Sequence, residues 1–149
     1  MSEKKIERSL EILKKSQKEI EVSQGETLVS NPTIQEIISI VEQFLISKKL
    51  ICYGGTAINN VLPEKDQFYD LKREIPDYDF FSPHSLDDAK ELADIFYKKG
   101  FNDVEAKSGM HTGTYKVFVN FIPIADITYM IPEIYDNLEK EAITILGIR

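Results

Sequence analysis

Three aspartates in apolar surroundings are the residues of this sequence best suited to chemistry. Asp77 and Asp79 are separated by one residue, and Asp126 stands between Ala125 and Ile127. Because strand side chains alternate between faces, the first two carboxylates would point the same way, about 7 Å apart. A buried carboxylate without a partner is costly or stays protonated, and a bound cation removes that cost. If the two strands pair, the three carboxylates form a ligand set for two Mg²⁺ (or Mn²⁺) ions roughly 3.5 to 4 Å apart.

A pair of glycines supplies a second chemical feature. Gly54 and Gly55 end a short apolar run at residues 50–53 and precede a predicted helix. Such a turn offers backbone N–H groups without obstructing side chains, and the positive end of the helix dipole favours an anion. The Thr56 hydroxyl adds one further hydrogen bond. These three residues are therefore candidates for holding a triphosphate, although the turn lacks the lysine of a P-loop.

Other readings of these residues are weaker. An EF-hand loop beginning at Asp77 would need an oxygen ligand and a glycine where the chain has Phe81 and Ser82. His84 and His111 are isolated in the sequence and are expected at the surface rather than at a zinc site.

The thiol and the aromatic residues near these motifs favour structural roles. Cys52 lies in a predicted buried strand, where a thiol is usually an inert small hydrophobe. Core packing or loop filling is favoured over base stacking for the aromatic residues Tyr69, Tyr78, Phe80 and Phe81.

The elements that must position these residues follow from hydrophobic periodicity and capping signals. Helices are predicted at residues 3–22, 33–48, 56–62 and 85–99 and from Pro132, and strands at 50–53, 77–82, 104–108, 114–121 and 124–130. Residues 63–76 read as a loop. The mixture predicts an α/β (α+β) fold with a twisted mixed sheet and packed helices.

Two regions are predicted along the chain. Residues 1–30 read as an amphipathic helix, whose face Ile6, Leu10, Leu13 and Ile20 is expected to pack on the rest, followed by a polar linker over 24–30. Residues 31–149 read as the catalytic domain. The apolar pattern of residues 142–149 favours continuation of the domain beyond them.

Length, net charge, apolar runs and cysteine content limit the class of protein. A chain of 149 residues suits one domain, and a net charge of −7 with a pI of about 4.9 lacks the basic balance of a protein that grips nucleic acid unaided. No apolar run is long enough to cross a membrane, and the single cysteine agrees with a reducing compartment. We therefore expect a cytoplasmic protein with no membrane partner.

The combined motifs resemble those of the DNA-polymerase-beta-like nucleotidyltransferases. The segments that carry the resemblance are Gly54-Gly55-Thr56, Asp77-Tyr78-Asp79 and Ala125-Asp126-Ile127. The longer segments Tyr53-Gly54-Gly55-Thr56-Ala57-Ile58-Asn59 and Asp77-Tyr78-Asp79-Phe80-Phe81-Ser82 are similar to those of the poly(A) polymerases of large DNA viruses. The resemblance spans about residues 35–149.

That resemblance implies a nucleotidyltransferase palm, and addition of AMP from ATP to RNA 3′ ends without a template. It implies that Gly54, Gly55 and Thr56 hold the triphosphate, that Asp77 and Asp79 bind both metals, and that Asp126 completes the metal site nearest the primer. It implies a location in a viral factory or virion. It leaves open whether the chain binds a protein subunit or forms a homodimer. The further helical domain of such polymerases does not follow in this chain.

Two alternatives remain open at the level of sequence. The motifs specify metal and triphosphate but not the acceptor, so a nucleotidyltransferase acting on a small molecule or a protein fits them. A non-catalytic truncated copy that binds a partner subunit fits the apolar end.

Overall fold

Helices and strands alternate along most of the chain. The computed structural model describes residues 3–70, 74–143 and 148, with the backbone alone at residues 26–29. The helices are α1 (Glu3–Ser30), α2 (Pro32–Lys48), α3 (Gly54–Val61), α4 (Ser85–Lys98) and α5 (Pro132–Glu141), with one 3-10 turn at Glu64–Asp66. The strands are β1 (Ile51–Tyr53), β2 (Tyr78–Ser82), β3 (Val104–Ser108), β4 (Thr114–Val119) and β5 (Ile122–Tyr129).

The five strands form one mixed sheet in the order β1-β2-β5-β4-β3. β2 and β5 are parallel neighbours, whereas every other neighbouring pair is antiparallel. The expected mixed sheet with packed helices is confirmed, and the strands that carry the aspartates are adjacent.

One face of the sheet packs against helices. Phe80 of β2 and Val117 of β4 are fully buried on this face, and the Phe44 ring of α2 lies 6.4 Å from the Phe80 ring. The buried Asp88 of α4 accepts a hydrogen bond from Ser82 Oγ at the end of β2. Because strand side chains alternate, the neighbouring residues of β2, β4 and β5 point to the opposite face, which we call the open face.

Helix α2 begins and ends where the sequence predicts. Asn31 caps it by accepting a hydrogen bond of 2.9 Å from the Thr33 amide, and Pro32 occupies the first turn. Lys49 ends it in the left-handed conformation at φ 55°.

Helix α1 corrects two expectations. It continues to Ser30, so the predicted linker over residues 24–30 is instead its last two turns. The predicted apolar face does not pack on the domain, since Ile6, Leu10, Leu13 and Ile20 remain 46 to 64% exposed. One glycine costs a helix only about 1 kcal/mol, and no neighbouring element competes for this polar segment.

The β4–β5 hairpin corrects two predicted boundaries. β4 stops at Val119 and β5 starts at Ile122, because Asn120 and Phe121 form the turn with φ angles of 51° and 65°. The sequence did not predict this turn, because the apolar alternation continues through it and the turn contains no glycine or proline.

The apolar chain end cannot be compared with its prediction in full, since residues 144–147 and 149 lie outside the described ranges. None of the helices described above combines the length and apolar character that a membrane span requires.

Candidate active site

The parallel pairing of β2 and β5 places two of the three aspartates side by side. Asp79 is the register partner of Asp126, so both carboxylates lie on the open face. Asp77 lies one residue before β2. The carboxyls lie close enough to interact, because the charge of Asp126 raises the pKa of Asp77, and the charges of Asp77 and Asp126 raise the pKa of Asp79. The structure therefore places Asp79 and Asp126 side by side, with Asp77 near them.

The electrostatics of this cluster favour a cation. Burial, followed by the charges of Asp77 and Asp126, raises the pKa of the half-buried Asp79 to about 6. Burial and then the charge of Asp126 also raise the pKa of Asp77. A carboxyl in such a site holds its proton more readily than one in water, and a positive ion nearby would reverse that effect.

Two buried oxygens of the cluster lack hydrogen bonds. Asp77 Oδ1 and Asp126 Oδ1 contact no donor within the described part of the chain. Unpaired buried acceptors are costly, and buried carboxylates are normally paired or bound to metal. The residues present therefore fit a hard divalent cation, which prefers oxygen ligands.

The carboxylates do not form a complete metal cage by themselves. Across residues 3–70, 74–143 and 148, no three His, Cys, Asp or Glu side chains are grouped closely enough to hold a metal. Mg²⁺ usually keeps waters and is bound through one or two carboxylates together with substrate phosphates. This arrangement suits a metal that arrives with a triphosphate.

A lysine also faces the cluster. Lys116 of β4 is the register partner of Asp126, and its Nζ donates a hydrogen bond of 2.8 Å to Asp126 Oδ2. This hydrogen bond raises the pKa of Lys116, so the ammonium stays charged. Lys116 therefore supplies one positive charge to the carboxylates, and sequence reasoning missed it. Placing the turn at residues 120–121 would have paired position 116 with 125, and the register shift between Val117 and Phe118 is what aligns Lys116 with Asp126.

Gly54 lies against the carboxylate cluster and cannot be replaced without strain. Its φ is +72°, and a Cβ built on it would stand 2.7 Å from Asp79 Oδ2. Glycine is the residue that tolerates both conditions. The glycine pair therefore brings the start of α3 directly against Asp79.

The remaining residues of the glycine turn are engaged within the protein. A Cβ on Gly55 would stand 2.6 Å from the Tyr69 hydroxyl, so Tyr69 covers this glycine. Thr56 Oγ1 donates to the Asp77 carbonyl at 3.0 Å, which ties the turn to the start of β2. A cavity of about 280 Å³ lies among Gly55, Thr56, Tyr69, Asp77 and Asp79.

Asn59 of α3 holds the loop that covers the turn. Its Oδ1 accepts hydrogen bonds from the amides of Phe68 and Tyr69 at 2.8 and 2.9 Å, and its side chain is buried. Sequence reasoning gave Asn59 no such role. The signal was an asparagine in a short helix predicted to pack on the domain, because a buried amide needs partners.

The comparison with known families decides the identity of this site. A family model described as "Poly(A) polymerase catalytic subunit" matches residues 39–149, which include the glycine turn and all three aspartates. The chain belongs to this family. Poly(A) polymerases are transferases, so the likeness to the viral nucleotidyltransferases is confirmed.

Relatives from large DNA viruses carry the same family name. The chain is 43% identical over 105 residues to a protein named as a poly(A) polymerase catalytic subunit in African swine fever virus (isolate Tick/Malawi/Lil 20-1/1983), covering 70% of the chain and 22% of the relative. It is 36% identical over 118 residues to a protein of that name in Acanthamoeba polyphaga mimivirus, covering 75% and 20%. The chain thus spans about a fifth of the length of these curated relatives.

A solved structure shows the fold of the poly(A) polymerase family. The crystal structure of the Megavirus polyadenylate synthase matches 99% of this chain with a TM-score of 0.82 at 32% identity. The match covers 30% of the Megavirus chain. The fold of this chain is therefore that of a polyadenylate synthase over the matched part.

The residues to which no chemistry was assigned lie where they were expected. His84 and His111 are exposed, and burial raises the pKa of the Cys52 thiol to about 12, which makes it a poor nucleophile. Tyr78 and Phe80 are in the core. Phe81 stacks on Tyr53 with ring centroids 4.0 Å apart.

Proposed function

We propose that this chain is the catalytic palm of a template-independent poly(A) polymerase, which adds AMP from ATP to RNA 3′ ends. The observation that carries the proposal is the pairing of Asp79 with Asp126, beside Asp77 and against Gly54. Membership of the poly(A) polymerase family supports adenylate transfer to RNA in particular.

The carboxylates would act by positioning metal-bound reactants. Asp77 and Asp79 would hold two Mg²⁺ or Mn²⁺ ions, and Asp126 would hold the one nearest the primer. When bound, these ions supply a lower pKa for the primer 3′-hydroxyl and neutralise charge on the departing pyrophosphate. The contribution of the protein is to fix the carboxylates on two adjacent strands before the substrates arrive.

The glycine turn would hold the triphosphate. Gly54 and Gly55 place backbone N–H groups at the start of α3 and carry no side chains of their own. The cavity beside them reaches Asp77 and Asp79, so phosphate oxygens placed there would lie next to the metal ligands. Tyr69 covers Gly55 and would be the residue to move as the triphosphate enters.

Incorporation of labelled ATP into an oligo(A) primer tests this proposal. We expect extension with Mg²⁺ or Mn²⁺, and its loss in the Asp77→Asn/Asp79→Asn variant, because neutral amides bind divalent metal weakly. Asp94→Asn is the matched control, since Asp94 is exposed on α4. Failure of the unmodified chain to extend the primer would contradict the proposal for this chain.

The product identifies the acceptor. Consumption of ATP without extension of RNA would favour an acceptor that is a small molecule or a protein. A chain that binds a second subunit equally well with and without the Asp77→Asn/Asp79→Asn change, and that consumes no ATP, would be a non-catalytic partner. A protein subunit or homodimer as partner, and a location in the cytoplasm, viral factory or virion, belong to the same proposal.

A further inference from the structure

One row of side chains crosses the open face of the sheet at the level of the carboxylates. The register partners in this row are Tyr53, Asp79, Asp126, Lys116 and Lys107, one from each strand. Directly opposed residues on neighbouring strands point to the same face. The row thus carries carboxylates on β2 and β5 and lysines on β4 and β3. With strands about 4.8 Å apart, the Cα of Lys107 lies roughly 10 Å from that of Asp126.

An aromatic ring lies within reach of the outer lysine. Lys107 Nζ stands 5.4 Å from the centroid of the Phe118 ring, and Phe118 is only half-buried. Beside Phe118 a cavity of about 130 Å³ opens, which is also lined by the exposed Phe121, by Asn102 and by the acidic residues Asp103 and Glu105. One cation and one aromatic surface therefore stand together, at a spacing that a single nucleotide could engage with its phosphate and its base.

The net charge of the chain bears on the role of Lys116 and Lys107. The whole chain carries a net charge of −7, so a phosphate backbone must find local positive charge. Lys116 and Lys107 lie in the same row as the carboxylates at which the primer must end. Lys107 pairs with Glu105 at 2.6 Å, but both side chains are about half-exposed, and such surface pairs are weak enough for a phosphate to displace.

We propose that Lys116, Lys107 and Phe118, which we call the β3–β4 face, bind the last nucleotides of the single-stranded RNA acceptor. The lysines contact phosphates, and the Phe118 ring stacks on an unpaired base. The 3′ end then points along the row toward Asp126. This assignment rests on the proposed function, because it supplies the acceptor strand of the same reaction.

Equilibrium binding of RNA tests this proposal without requiring catalysis. Fluorescein-labelled oligo(A) is titrated with the whole 149-residue chain without ATP or metal, and anisotropy is followed at several salt concentrations. We expect Lys107→Gln to weaken binding several-fold and to reduce the slope of log K against log[salt] by about 0.7. We expect Phe118→Leu to weaken binding about tenfold with little change in that slope.

Matched controls exclude loss of folding or of general charge. Lys90→Gln makes the same charge change at an exposed position of α4, which packs against the other face of the sheet, and should leave binding unchanged. Lys107→Arg keeps the positive charge and should bind oligo(A) as the unmodified chain does. Thermal unfolding of each variant shows whether the domain is intact, and an oligo(A)·oligo(U) duplex should bind more weakly than the single strand.

The outcomes separate this proposal from the one it rests on. Oligo(A) binding that is equal in the unmodified chain, Lys107→Gln and Phe118→Leu would overturn the β3–β4 face, as would no binding by the unmodified chain. We expect stabilisation of the chain by Mn²⁺ and ATP to require the carboxylates but neither Lys107 nor Phe118. Its loss in Asp77→Asn/Asp79→Asn supports the proposed function whether or not the β3–β4 face binds RNA.

Discussion

At the scale of single residues, the carboxyl group of Asp79 determines how the site responds to pH. Its pKa of about 6 in the folded protein lies above the value near 3.9 of an unfolded aspartate. Between these values the folded state binds more protons than the unfolded state. The stability of the metal-free protein therefore falls as pH rises from about 4 to about 6, and stays lower above that range.

Replacing this carboxyl should stabilise the protein in the absence of metal. We expect Asp79→Asn to raise the free energy of unfolding by about 1 kcal/mol near pH 8, a value limited by solvent screening of the half-buried group. The change should shrink below about pH 4, where the native carboxyl is protonated. Urea denaturation across this range measures it, with Asp94→Asn as the exposed control. A variant less stable than the native chain at pH 8 would contradict the electrostatic account.

Gly54 offers a second test, because two separate effects act on it. Gly54→Ala forces an alanine into a left-handed conformation, which costs about 1 to 2 kcal/mol, and places a methyl group against Asp79 Oδ2. Gly100→Ala is a matched control with φ +99° and nothing within 4 Å of the added Cβ. We expect similar backbone costs in denaturation, but a loss of Mn²⁺ binding in Gly54→Ala alone. Equal Mn²⁺ binding by both variants would show that the glycine does not position Asp79.

At the scale of elements, the parallel neighbours β2 and β5 do most to build the site. Sequence periodicity predicted both strands, and the alternation rule predicted that Asp77 and Asp79 share a side. The sequence analysis had to assume that β2 and β5 pair, because strand order depends on contacts distant in sequence. The structure meets that condition by aligning Asp79 with Asp126.

The loop before β2 gives an element-scale prediction. Asn59 is the side chain that anchors the Phe68 and Tyr69 amides. We expect Asn59→Ala to speed hydrogen exchange at these two amides at least tenfold and to free Tyr69 from Gly55, because each amide loses its acceptor. Asn60→Ala, on the neighbouring position of α3, is the control. Unchanged protection at both amides would mean that the loop is held by other contacts.

At the scale of the whole molecule, the sequence predicted most elements and the identity of the three carboxylates. It did not predict that α1 leaves its apolar side chains exposed, because periodicity reports a face but not what covers it. It also missed Lys116, whose role depends on the register across the β4–β5 turn. Local sequence pattern thus identified the candidate metal ligands, whereas strand pairing determined which residues lie beside them.

The central claim is that this acidic domain assembles a divalent-metal site on the open face of its sheet. The most direct measurement is a Mn²⁺ titration followed by electron paramagnetic resonance, with and without a non-hydrolysable ATP analogue. We predict weak Mn²⁺ binding to the chain alone, and about two ions held when the triphosphate is present. The Asp77→Asn/Asp79→Asn variant should lose both ions and Asp94→Asn neither. Mn²⁺ binding that is the same in all three proteins, or absent from the unmodified chain with the analogue, would contradict the account.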